Sequence, residues 1–440
     1  MVGGAVGEGA AGGPIDATLV LGDLAGVRVR PPVVVPFSTS SRSAPALLQN
    51  TVNAAIAQQA GLGGEALDPP GTLAQLAHLV FALPAGEQGP LGVGQPAVLV
   101  ALDGEQPPPA DEAVSAARLE GLGRAVLSAV YALDSGPELN GSQVSSDGSE
   151  TGLPIQHKAI PQWALRLLTA ALLLPALMAL GDGLARARRR REPVGRWVLW
   201  ALACALPFLA CAAFALLLGR LGAIPTPRPP VWPAALPFDG RALEAVLATA
   251  FVLLLAGLGW PSLMRRVGLP VRPRAEAAAL GMLLVLGALT LLVWVLDPLT
   301  ALLLLPALNL WLVLAASPRV SAGRIPLVAL SLVALGLVPL VLLVAFYAGQ
   351  LDLGPGGVLH TALLLLAGGR VGVAGAVLWS VAFGCLAAAL LVALAPAATG
   401  AGEDGGPGEG LDDYAPINIR GPLSYAGPGS LGGTESALRR

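Results

Sequence analysis

Trp163-Ala-Leu-Arg-Leu-Leu-Thr-Ala-Ala-Leu-Leu-Leu-Pro-Ala-Leu-Met-Ala-Leu-Gly-Asp-Gly-Leu184 is the stretch that decides the class of fold. Its only charges, Arg166 and Asp182, stand near its two ends. A helix needs about 20 such residues to cross a hydrocarbon core about 30 Å thick, where no water can satisfy peptide groups. Further stretches of this character follow at Trp197–Leu218, Ala242–Leu258, Ala277–Leu296, Leu299–Ala316, Ile325–Tyr347 and Val371–Ala395. Val358–Leu366 is too short to cross alone and reads as a re-entrant or interfacial piece, set off from the last span by Gly368-Gly-Arg370. Counted as an eighth span, it would reverse the C-terminus. The expectation is an all-α polytopic membrane domain of about seven helices over 161–396.

Composition agrees. Of 440 residues 55% are hydrophobic and 12% charged, with a mean hydropathy of +0.71, where soluble domains average about 25% charged. The net charge of -2 argues against nucleic acid as a partner, since neutralising phosphates needs a basic face. The lipid bilayer is the expected partner, with a membrane protein as a further one. Lys158 is the only lysine, and the wealth of Ala, Gly, Leu, Pro and Arg points to a GC-rich bacterial genome. Cys204, Cys211 and Cys385 all lie within apolar spans, away from the water a thiolate or zinc site needs, and read as packing residues.

Arginine placement sets the orientation. Arg186, Arg188, Arg189, Arg190, Arg191 and Arg196 fill the first connection, Arg265, Arg266, Arg272 and Arg274 the third, and Arg319 and Arg324 the fifth. The alternate connections hold Arg220, Arg228, Arg241 and Arg370, giving 12 against 4. By the positive-inside rule the odd connections are cytoplasmic. This makes a multi-pass cell-membrane protein with its N-terminal domain extracytoplasmic and its C-terminus cytoplasmic.

That N-terminal domain, 1–137, reads as α/β. Ala17–Leu21 and Val33–Val35 are short apolar runs of strand character, and Ala97–Leu102 reads as a central strand. Helices are expected over Pro45–Ala60, Thr72–Leu83 and Ser115–Leu133, each closed by Gly, Pro or a Ser-Gly pair. Strands alternating with helices make a layered fold. Residues 138–160 are a Ser/Gly/Asp-rich linker, and 397–440 a Gly/Pro/acid-rich, disordered cytoplasmic tail. No apolar signal region precedes the domain, and a domain of this size must still cross the membrane, so the chain is expected to lack its natural beginning. The Gly-rich start, Gly3 to Gly13, has neither the preceding strand nor the Gly-Lys-Ser/Thr end of a phosphate loop.

Ile15-Asp-Ala-Thr-Leu-Val-Leu-Gly-Asp-Leu-Ala-Gly26 resembles the strand by which di-zinc aminopeptidases (peptidase family M-28) deliver a metal-binding aspartate, at Asp23 here. Gly86-Glu-Gln-Gly-Pro-Leu91 followed by Gly94-Gln-Pro-Ala-Val-Leu99 is similar to that family's Ser-Asp-His stretch, its Gly-Ile-Pro-Ala turn and the next strand. The order of elements also fits, and a domain of this type followed by several spans is similar to the GPI transamidase attachment subunit. The resemblance covers about a quarter of the chain. It implies a partial zinc-exopeptidase-like sheet, Asp23 as a metal ligand, and substrate contacts at Glu87 and Gln88.

The catalytic set does not follow. Two zincs need about five N/O ligands and a carboxylate base. The family's His-x-Asp and Glu-Glu would lie upstream of Met1, Gln88 stands where the family has histidine, and Asp103 to Glu112 offers no histidine after the central strand. Glu8 lies too close to Asp23 to replace them. His78, His157 and His360 share no ligand spacing, and His78 reads as a helix-surface or packing residue. No catalytic residue and no metal cofactor are therefore expected, although zinc belongs to the family. Arg166, Asp182, Glu244, Asp297 and Arg370 sit near span ends, where snorkelling explains them. Asn309, with Pro306 one turn before it, is the deeper polar residue and reads as a helix–helix hydrogen-bonding group. The reading is a degenerate aminopeptidase-like membrane protein that binds a peptide or lipid-linked substrate. A transporter or channel, and a scaffold subunit of a membrane complex, are the alternatives.

Overall fold

The computed structural model describes residues 17–27, 32–39, 43–59, 71–83, 86, 88–91, 96–102, 112–135, 153–155, 158–160, 162–226, 237–271, 275–316 and 326–394. The Gly-rich start, Glu87, His157 and the expected tail after 396 lie outside them.

The N-terminal part is built on a three-stranded sheet of β1 (Thr18–Leu21), β2 (Pro32–Val35) and β3 (Ala97–Leu102). β3 lies in the middle, parallel to β1 and antiparallel to β2. Every β3 residue is buried, so its run Ala-Val-Leu-Val-Ala-Leu needs no polar face. The pleat alternates its side chains between two cores. Val98, Val100 and Leu102 meet Leu48, Val52 and Ile56 of α1 (Ala46–Gln59) and Leu122, Ala125 and Ala129 of α4 (Ala116–Asp134). Leu99 and Ala101 pack with Val35 and Phe37 on the other face, where α2 (Thr72–Val80) and α3 (Gln88–Leu91) complete the layer. Ser115 caps α4, its hydroxyl accepting from the Arg118 amide. Within 138–160, β4 (Leu153–Ile155) and β5 (Lys158–Ile160) form a hairpin directly before the first span.

The rest is helical: α5 (Gln162–Arg189), α6 (Val194–Ala203), α7 (Leu206–Arg220), α8 (Gly240–Arg266), α9 (Ala275–Leu296), α10 (Ala301–Ala316), α11 (Pro326–Gly336), α12 (Val338–Gln350), α13 (Pro355–Ala367) and α14 (Gly372–Ala393). Among the described residues five stretches are long and apolar enough to cross a membrane: Trp163–Arg189, Val194–Arg220, Gly240–Arg266, Ala277–Leu296 and Gly372–Ala393. α11 and α12 add a sixth if taken as one span bent by 53°. The chain is a multi-pass membrane protein. The expectation of about seven spans differs at Leu299–Ala316. Asp297 and Thr300 hold the chain in a turn there, so α10 keeps 16 residues, about 24 Å at 1.5 Å per residue.

α9 is the hub of the bundle. Met282, Leu283 and Leu286 meet Trp200, Leu308, Trp311 and Cys385 in one core. Lipid tails are as apolar as these side chains, so close packing rather than water exclusion holds such helices together. Small residues permit it. A methyl on Gly281 would stand 2.6 Å from the backbone of Trp197, and one on Gly384 2.6 Å from Ala205 Cα. α8 is peripheral, with Leu254, Leu255 and Leu258 exposed along it.

The two ends of the bundle differ. Arg186, Arg188 and Arg189 occupy the last turn of α5, and Arg196 donates to Gly268 O at 2.6 Å just beyond α8. α9 then runs about 33 Å from that end to Asp297, whose neighbour Thr300 reaches Val80 of α2. The layer and this arginine cluster therefore lie at opposite ends.

Candidate functional site

The junction between layer and bundle is an apolar contact threaded with a few polar ties. Leu79, Val80 and Leu83 pack with Leu299, Leu303 and Leu343. His78, 3% exposed, stacks on Phe37 at 4.1 Å and meets the edges of Phe346 and Tyr347. Tyr347 Oη stands 3.3 Å from His78 Nδ1 and donates to Phe81 O at 2.5 Å. Burial pushes the His78 pKa down to about 4, because a desolvated imidazolium is costly. His78 is thus neutral near pH 7, and its burial makes it a packing residue rather than a helix-surface one.

Two groups at span ends complete the junction. Arg370, between α13 and α14, donates through Nη2 to Thr39 O and to Ala82 O, the latter at 2.7 Å. It was expected to reach for water; instead the layer offers it two carbonyls. Asp297, directly after α9, accepts from Leu299 N at 3.0 Å and from Thr300 Oγ1 at 2.6 Å. Thr300 Oγ1 also lies 2.8 Å from Val80 O.

Between these groups lies a half-open cavity of about 360 Å3. Thr39, Asp297, Thr300 and Arg370 form its polar part. Its apolar walls come from the C-terminal part of α9 (Leu289, Val293, Leu296), the start of α10 (Leu303, Leu304) and the first half of α14 (Leu378, Trp379, Ala382). An apolar concavity with a few convergent polar groups is the usual form of a small-ligand site.

The residues singled out from sequence have other surroundings. Asp23 Oδ1 accepts from Ala25 N at 3.0 Å and Gly26 N at 2.9 Å, closing a turn after β1. A methyl on Gly26 would stand 2.6 Å from Asp23 Oδ2 and 2.7 Å from Glu112 Oε1, so both carboxylates converge on a position that needs glycine. Arg118 Nη1 donates to Gly26 O at 2.6 Å beside them. Glu112 carries no motif and stands 89 positions from Asp23. Among the described residues no three of His, Cys, Asp and Glu converge as a metal site would require. Gln88 is fully buried. Its neighbour Gly89 accepts from Thr39 N at 2.9 Å, and so abuts the residue that Arg370 holds. About three residues of β3, some 10 Å, separate Asp23, tied to Leu102 N, from Gln88, which crowds Gly86 beside Leu99.

His360 is buried near Phe238, ring centroids 6.1 Å apart. Cys204 and Cys385 are buried and unpaired, and Cys211 is half-buried. Asn309 is exposed and donates to Leu305 O of its own helix, rather than across to another.

The chain matches no family model, no curated protein and no solved structure.

Proposed function

We propose that this membrane protein captures an amphipathic, lipid-linked molecule at the membrane boundary and holds it without hydrolysing it. On this reading the layer is a degenerate relative of the di-zinc aminopeptidases that has kept a binding role. The layer stands outside the cytoplasm, which the cluster of Arg186, Arg188, Arg189 and Arg196 at the opposite end of the bundle supports. The observation that carries the reading is the junction cavity, whose apolar walls run along the spans from their ends inward and whose polar part joins span ends to the layer. A molecule with a hydrocarbon tail and a polar head meets both surroundings there at once.

A photocrosslinking amino acid at Trp379, with a second at exposed Leu258 of α8 as control, tests it in native membranes. The expected result is a discrete lipid-linked adduct at position 379, lost when Ala382→Trp fills the cavity, against a bulk lipid mixture at position 258. The same mixture at both positions would refute capture.

The transporter reading takes its support from the 53° break between α11 and α12, with Pro339 just after it. Solute flux into vesicles carrying the purified chain, abolished by Pro339→Leu, is the outcome that would favour it.

A further inference from the structure

We infer that the molecule held in the junction cavity bears both signs of charge in its head, an anionic phosphate or carboxylate against Arg370 and an amine against Asp297. The inference rests on the capture reading above and narrows it to one class of head.

Asp297 follows the last residue of α9 and Arg370 stands two residues before α14, so both lie where spans meet the boundary, and both line the cavity. They do not pair with each other. Among the described residues the ion pairs are Arg124 with Glu120 and Arg186 with Asp182. Each group keeps unused capacity. A guanidinium has five N–H donors, and Arg370 engages two carbonyls through Nη2 alone. Nη1 and Nε remain as charged donors, already oriented by those bonds, each able to meet an oxygen of a phosphate or carboxylate. An ionised carboxylate has about four acceptor sites. Asp297 uses one on Leu299 N and one on Thr300 Oγ1, and these fix its plane.

The charge balance selects the ligand. One carboxylate and one guanidinium share a cavity walled mainly by aliphatic side chains, so the site is neutral overall with its charges held apart. A head with a single negative charge would satisfy Arg370 and be repelled by Asp297, and a single positive charge would do the reverse. A head with both leaves neither protein charge desolvated and unpaired. Beneath the charged mouth, Leu289 to Leu296 and Gly375 to Ala382 each run about 10 Å along their helices, which gives the tail an apolar slot.

The test uses the full chain in nanodiscs doped with lipids brominated in the tail. Their heads are phosphocholine or phosphoethanolamine, phosphoglycerol, trimethylammonium, or a bare diacylglycerol. The signal is the quenching lost on Trp379→Phe. Zwitterionic heads are expected to give half-maximal quenching at a tenfold or more lower mole fraction than the other three. Asp297→Asn is expected to move the anionic lipid to first place, and Arg370→Gln the cationic one. A misfolded variant would lower all heads alike, and the unsubstituted panel decides by itself. Equal quenching by all heads would overturn the inference while leaving capture standing. No quenching dependent on Trp379 with any lipid would overturn capture itself. Tail-free phosphocholine competing as well as its lipid would show a soluble zwitterion as the occupant and overturn the lipid-linked form.

Discussion

Replacing Arg370 with alanine should loosen the two layer segments it holds, around Thr39 and Ala82, without unfolding the central strand or the bundle. Its Nη2 serves Thr39 O and Ala82 O, on two segments of the layer. A hydrogen bond from a charged donor is worth about 1.5–3 kcal/mol. Water entering the half-open cavity would replace part of two such bonds, which leaves a loss of about 3 kcal/mol, or roughly two decades in an opening equilibrium. Amide hydrogen exchange reads this directly. Thr39 N donates to Gly89 O and Phe81 N to Ala77 O, bonds within the layer, so both amides report local opening of the segments whose carbonyls Arg370 holds. Both should exchange about 100-fold faster in the variant, while Leu99 and Val100, inside β3, keep their rates. Arg370→Lys retains the charge but not the fork, and should fall about midway on a logarithmic scale. Unchanged protection at Thr39 and Phe81 in the alanine variant would refute the clamp.

Other outcomes follow from the same structure. His78 has its pKa lowered to about 4, so below pH 6.5 the unfolded chain binds a proton that the folded chain refuses. Stability should hold above pH 6.5 and fall by about 3 kcal/mol between pH 6.5 and 4. Denaturation midpoints across that range should show this, and His78→Phe should flatten them. Gly281→Ala forces a methyl to within 2.6 Å of the Trp197 backbone, whereas at Gly257 nothing lies within 4 Å. The first should cost about 1–3 kcal/mol in an SDS-unfolding assay and the second should be neutral or stabilising. Asp23→Ala should cost about 1 kcal/mol through its turn, with no dependence on zinc. A melting temperature that rises with zinc in the parent chain and not in this variant would restore Asp23 as a metal ligand.

Much of the architecture was legible as local pattern. Ala97–Leu102 is apolar at every position and proves to be the central, fully buried strand. The helices expected over Pro45–Ala60 and Ser115–Leu133 are present over nearly those residues. The site was less legible. Asp23 was singled out by a resemblance, and the structure adds that its Oδ1 accepts from two amides of its own turn. Arg370 carries no motif, and its partners Ala82 and Thr39 lie 288 and 331 positions away.

The sequence by itself determined that the chain lives in a bilayer and which long apolar segments are candidates to cross it. Transfer of a helix into hydrocarbon is close to a sum over its own residues, so composition and length suffice. Only the tertiary structure decided that α10 falls short, that α11 and α12 meet at a 53° break, and that a cavity opens where the layer sits on the span ends. Those features depend on which side chains and carbonyls meet across hundreds of residues. Hydropathy cannot carry that, because an arginine at a span end has the same composition whether it faces water or grips two carbonyls.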